Sequence, residues 1–128
     1  MLSKGKAKAS MKKAIGAQEY DEINRLILEY PFLIEEFKEL QKYPSLDIEG
    51  AIIAATGVME DELAGPVKVE DIVKSAIQDF RKNITEIEVF SILDKIERQG
   101  FIQKRGIGWV LTARGSELCD QTLAEIGY

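Results

Sequence analysis

From Thr85 to Gln99 apolar residues recur at three- and four-residue steps, and Gly100 closes the run. That spacing places them on one side of a helix, and glycine is the usual residue just past a helix end. Two β-prone runs follow at once, Phe101–Lys104 and Trp109–Thr112, joined by Arg105, Gly106, Ile107 and Gly108. Such runs about a glycine-rich link predict a hairpin. A long amphipathic helix running straight into a hairpin is the pattern that most restricts the fold of this chain.

Upstream, the punctuation is clear. Residues 1–16 are mostly Lys, Ala, Gly and Ser and read as a flexible basic arm. Residues 17–45 read as a helical pair. Tyr20, Ile23, Leu26, Ile27 and Tyr30 make the first stripe, and Pro31 stops it because proline has no amide to donate. Leu33, Phe37 and Leu40 make the second, bounded by Pro44. Leu46 to about Met59 is a further apolar helix, for which Asp47 is suited as a cap or a first-turn acid. Glu60, Asp61 and Glu62 read as an acidic turn, Gly65 and Pro66 as a break, and Val67–Val69 as a very short strand. Glu70–Phe80 is helical, Asn83 marks a turn, and Ser116 to about Ile126 is a terminal helix. The expected class is mostly α with a little β.

The order from Leu46 is helix, short strand, helix, turn, helix, hairpin, helix. Ile84-Thr85-Glu86-Ile87-Glu88-Val89, continuing through Ile92 to Gly100-Phe101-Ile102, resembles the recognition helix and first wing strand of the winged helix-turn-helix superfamily. Trp109-Val110-Leu111-Thr112-Ala113-Arg114-Gly115 is similar to the second wing strand and the Leu-Thr-x-x-Gly exit of MarR-like and PadR-like regulators. The resemblance covers residues 46–118; the N-terminal 45 residues lie outside it. It implies a winged helix-turn-helix domain over 46–128 with a two-stranded wing and extra N-terminal helices. The Tyr20–Tyr43 helices either form a dimer interface or pack on their own domain.

Composition excludes much else. The chain has no histidine and one cysteine, Cys119. A histidine-based nucleophile pair and the common zinc sites are therefore absent. With no paired-acid arrangement either, no enzyme, cofactor or metal is expected. No apolar run approaches the roughly 18 residues of a membrane span. A lone cysteine suits a reducing compartment, so a cytoplasmic location is expected. Cys119 itself reads as a small buried apolar residue, and Trp109 as wing packing. Charge is segregated. Residues 1–18 hold Lys4, Lys6, Lys8, Lys12 and Lys13 and no acid, whereas residues 19–128 hold 12 bases against 22 acids. A basic arm on an acidic body suits a polyanion.

The helical wheel turns Ile87, Phe90, Leu93 and Ile96 inward. Glu88, Ser91, Lys95, Arg98 and Gln99 gather opposite as the candidate DNA face, with Thr85 at the helix start. A recognition helix reads base edges in the major groove, while flanking bases neutralise phosphates. The resemblance places Arg81 and Lys82 near the turn and Lys104, Arg105 and Arg114 near the wing. These residues and the arm lysines make the expected contact set for double-stranded DNA, bound by a homodimeric transcriptional regulator. One feature opposes this. Thr85–Gln99 carries Glu86, Glu88, Asp94 and Glu97 against only Lys95 and Arg98. The rival reading is an assembly adaptor that uses the same fold to bind another protein.

Overall fold

The computed structural model describes residues 1–128. Helix α1 spans Lys4–Gly16, and the Ser3 hydroxyl caps it by accepting the Lys6 amide at 3.3 Å. Residues 1–16 are thus not a flexible arm. Ala7, Met11 and Ala14 form a narrow buried stripe, and the Leu2 amide donates to the Tyr30 hydroxyl at 2.8 Å. Small residues between lysines give a weak sequence signal, yet they let the helix lie close against its neighbours. Helix α2 (Tyr20–Glu29) buries Ile23, Leu26 and Ile27, but Tyr20 at its start remains 67% exposed. It ends before Pro31 as the missing amide requires.

The segment after Pro31 is broken where one helix was expected. A single-turn α3 (Leu33–Glu36) gives way to an extended Phe37 and a 3₁₀ turn, Lys38–Leu40. Leu33, Ile34 and Leu40 are buried on either side of the break, while Phe37 at the break is only partly so. These side chains join the molecule's own core, so the N-terminal helices pack on their own domain.

Helix α4 (Ile48–Leu63) begins at Asp47, whose carboxylate accepts the Gly50 amide at 2.7 Å. It runs through Glu60, Asp61 and Glu62, the expected acidic turn, because these residues tolerate a helix and no breaker precedes Gly65-Pro66. Six consecutive residues, Ala51–Thr56, are buried, as in a helix enclosed on all sides. Val67 contributes only one antiparallel bridge, to Trp109, and not a strand over 67–69. Val69 already opens α5 (Val69–Gln78), which buries Ile72, Ala76 and Ile77.

Helix α6 (Glu86–Arg98) carries a reciprocal cap between Thr85 and Glu88. Its buried stripe is Val89, Leu93 and Ile96. Ile87 and Phe90, expected inside, are 81% and 49% exposed. Gly100, with φ +84°, turns the chain into β1 (Ile102–Arg105), which pairs antiparallel with β2 (Gly108–Leu111). The register sets Ile102 opposite Leu111 and Arg105 opposite Gly108, leaving Gly106 and Ile107 as a two-residue turn. Gly106 has φ +63°, the conformation such a turn demands at its first position.

Helix α7 (Ala113–Ile126) starts with Thr112 accepting the Gly115 amide at 3.1 Å. Gly115 is fixed by space: a side chain there would run into the Phe101 carbonyl. Twenty-nine buried residues from every helix and both arms of the hairpin region form one core, with α4 packed against α5, α6, α7 and β2.

Candidate functional site

The outward side of α6 shows what the expected DNA face can offer. Thr85 and Glu88 are committed to each other: the Glu88 amide donates to the Thr85 hydroxyl at 3.2 Å, and the Thr85 amide donates to the Glu88 carboxylate at 3.0 Å. Lys95 lies 3.0 Å from Glu49 of α4, and Arg98 lies 3.3 Å from Asp94 one turn back. Both pairs are more than half exposed on the basic side, so each is a weak tie that still offsets the charge available to a phosphate. Ser91 is exposed between them.

The hairpin and its neighbours supply the remaining bases. The Lys104 ammonium sits 6.0 Å from the Trp109 ring centre. Arg105 is exposed at the strand end. Arg114 covers the Phe101 ring at 4.8 Å and donates to the Gln99 carbonyl at 3.0 Å, fastening the end of α6. Arg81 and Lys82 turn inward instead. Arg81 donates to the carbonyls of Gln78 and Leu40 at 3.0 and 3.2 Å, and Lys82 to that of Tyr43 at 2.9 Å. Burial lowers the pKa of both from their ordinary values. They hold the end of α5 to the N-terminal segment and do not extend the α6 face.

The five N-terminal lysines stand apart from that face. Helix α1 packs on α2 and α3, whereas α6 packs on α4, α5 and β1. Lys4 lies over the Phe32 ring at 5.3 Å and Lys8 lies 3.5 Å from Glu36. Lys6, Lys12 and Lys13 point to solvent along α1.

What sequence reasoning missed is apolar. Phe90 of α6, Ile107 at the hairpin tip and Trp109 line a groove of about 440 Å³, with Lys68, Val69, Glu70, Lys104 and Gly106. Ile107 is 79% exposed, and Ile87 lies one residue beyond the Thr85-Glu86 start of the same helix. The signal was present. α6 holds Ile87, Val89, Phe90, Ile92, Leu93 and Ile96, more apolar residues than one helical stripe can bury, and Gly-Ile-Gly puts an apolar residue where a hairpin turn is usually polar.

A larger cavity, about 530 Å³, lies between α4, α6 and α7. Of its acids, Asp47 caps α4, Glu49 lies 3.0 Å from the Lys95 ammonium, and Glu125 accepts from Gln121 at 3.4 Å. No three His, Cys, Asp or Glu side chains come close enough to hold a metal ion, and no helix is long and apolar enough to cross a membrane. Comparison with family models, curated proteins and solved structures gives no match.

Proposed function

We propose that this chain is a winged helix-turn-helix module that works by docking another protein on the face formed by α6 and the hairpin. The order α4, Val67 bridge, α5, α6, β1, β2, α7 agrees with that superfamily, as does the Thr112 cap with Gly115 packed on Phe101. The observation that carries the functional reading is the exposure of Phe90 and Ile107 on one groove, with Ile87 exposed one turn earlier on α6. Full burial of each such side chain is worth about 1.5–3 kcal/mol, which a protein surface can supply and a phosphate backbone cannot. DNA affinity instead rests on bases that neutralise phosphates, and both bases of α6 already face carboxylates.

A photo-crosslinking amino acid at position 90 or 107, in cells that make the protein, tests this. The expected product is a protein adduct at both positions and none from Asp120, exposed on α7. Absence of any protein adduct at 90 and 107 would remove the reading.

Transcriptional regulation through duplex DNA is the second reading. Arg105 and Lys104 on the hairpin favour it, as do Lys6, Lys12 and Lys13 on α1. Its test is binding of random duplex at low salt. It stands if Lys95→Ala and Arg98→Ala each weaken binding and if removing the α1 lysines flattens the salt dependence, by roughly 0.9 log unit for each phosphate no longer neutralised. No binding by the parent protein ends it.

A further inference from the structure

We infer that the cleft between the N-terminal segment and the turn from α5 to α6 binds a small phosphate monoester. Lys42 of the N-terminal segment and Arg81, Lys82 and Asn83 of the turn line this cleft of about 260 Å³. Glu35 is the one acid in its lining. Residues 19–128 carry 12 bases against 22 acids, so three bases gathered against one acid reverse the sign of the body around them. Three bases less one acid leave an excess of two positive charges. A phosphate monoester matches it, with roughly −1.5 to −2 charges near pH 7 and three acceptor oxygens.

The donors that would hold those oxygens are only partly used. An ammonium has three donors, and Lys82 spends one on the Tyr43 carbonyl at 2.9 Å. A guanidinium has five, and Arg81 directs three to the carbonyls of Gln78 and Leu40 and to the side-chain oxygen of Asn24. Lys42 and Asn83 are exposed, and their side chains have no partner within the chain. None of the three bases is paired with a carboxylate. Two acids outside the lining act on them from a distance and are occupied elsewhere: Asp79 accepts the Ser75 hydroxyl at 2.8 Å, and Asp47 caps α4. Burial disfavours the charges of Arg81 and Lys82, and a bound dianion offsets that cost. Arg81 also takes φ +57°, a left-handed conformation harder for arginine than for glycine, so the turn itself does not call for this side chain. Ile34, Pro44 and Ile48 line the rest of the cleft and offer an apolar bed to the organic part of the ester. The volume lies below the usual ligand range of about 300–1,000 Å³, which suits a phosphate bearing one small ring or short chain. Arg81 and Lys82 turn into the cleft and away from the α6 face, which favours a free ester over the backbone of a duplex.

The test is amide NMR of the full chain, titrated with inorganic phosphate, phenyl phosphate and acetate at constant ionic strength. Phosphate is expected to shift the amides of Lys42, Tyr43 and residues 81–83 with a Kd of about 1 mM, as befits a small ion in an open cleft. Phenyl phosphate is expected to bind about threefold or more tightly, since its ring covers the apolar bed. Acetate, with one charge and two oxygens, is expected to bind about tenfold more weakly. Lys42→Glu is expected to weaken phenyl phosphate about tenfold or more. Lys42 is exposed and unpaired, so the fold is retained, and thermal melting checks it. Lys13→Glu makes the same change of net charge on the exposed side of α1 and is expected to leave binding within about twofold. Glu35→Gln removes the opposing acid and is expected to tighten binding about twofold or more, which a purely structural role for these bases does not predict.

No shift of these amides by phosphate or phenyl phosphate overturns the inference. So does binding that Lys42→Glu leaves intact, that Lys13→Glu weakens equally, that Glu35→Gln weakens, or that acetate matches. Phenyl phosphate that binds no better than phosphate overturns the ester. If both probes leave these amides unmoved while a short duplex moves them, the charges belong to a nucleic-acid surface and the inference fails. The docking reading is decided separately, at positions 90 and 107.

Discussion

Glu60 of α4 reaches across to β2 and accepts the amide of Leu111 at 2.9 Å. Val67 pairs with the neighbouring Trp109 in both directions, at 2.8 and 2.9 Å. Between them they satisfy the outer edge of the hairpin, which β1 leaves unpaired on that side. A hairpin of four-residue strands is marginal alone. Its position beside α6, and so the groove between them, depends on this edge being held.

Glu60→Ala is expected to destabilise the protein by about 1–3 kcal/mol, the cost of stranding a partly buried amide. Glu60→Gln keeps a carbonyl acceptor and should recover most of the loss. Urea denaturation of the three proteins reads the difference; equal stabilities for Ala and Gln would show that the carboxylate does not hold the strand.

A side chain at Gly57 would run into the Cys119 sulfur and lie 3.1 Å from Leu111. Gly57→Ala should therefore cost about 1–3 kcal/mol, the usual penalty for overpacking. In a Cys119→Ala background the sulfur is gone and only the flexible tip of Leu111 remains close. The two changes should be coupled by at least about 0.5 kcal/mol in a double-mutant cycle. Additive losses would contradict the contact.

Burial pushes the Cys119 thiol up to about 11 from its ordinary 9.0, with Asp120, Asp61 and Glu60 adding to the shift. Well below pH 9 the thiol is neutral in folded and unfolded chains alike, and pH does not act through it. Between pH 9 and about 11 the unfolded chain releases a proton that the folded chain retains. Stability must then fall as pH rises. Subtracting the pH–stability curve of Cys119→Ala from that of the parent isolates this slope. Alkylation of the native thiol near neutral pH should be slow for the same reason; rapid labelling would refute the burial.

Leu93 is fully buried and Phe90 is half exposed, although both lie on the apolar side suggested by spacing. Leu93→Ala should cost about 2–5 kcal/mol. Phe90→Ala should cost less than about 1.5 kcal/mol, since a half-exposed ring has about half its transfer energy to lose. Thermal melts of the two variants decide it, and the reverse order would mean that Phe90 belongs to the core.

Met11 is fully buried on α1. Met11→Ala should cost about 2–5 kcal/mol, and deletion of residues 1–16 should lower the melting temperature clearly. A truncation that melts like the parent would make the N-terminal segment dispensable to the fold.

The helix boundaries at Asp47, Pro31, Thr85 and Gly100 were legible in the sequence because each depends on local chemistry: a carboxylate for free amides, a missing donor, a hydroxyl cap, a left-handed residue. The hairpin was legible too, within one residue of its ends, since strand propensity and a glycine turn act over a few neighbours. The sequence by itself thus determined a mostly helical chain with one small antiparallel sheet. It could not tell how far α6 is rotated about its own axis. Six apolar residues on that helix allow more than one choice of inner stripe, and only packing against α4 and α5 selects Val89, Leu93 and Ile96. The same packing leaves Phe90 and Ile87 outside. Likewise, the lysine-rich start of the chain carries little helical signal, and contacts with α2 and α3 are what make it a helix with a buried Met11. Arg81 and Lys82 look like surface charges in the sequence, but carbonyls of Leu40 and Tyr43, distant along the chain, draw them inward. Propensity and capping are set by near neighbours; which face is buried, and which charge is free, is set by partners that only the folded chain brings together.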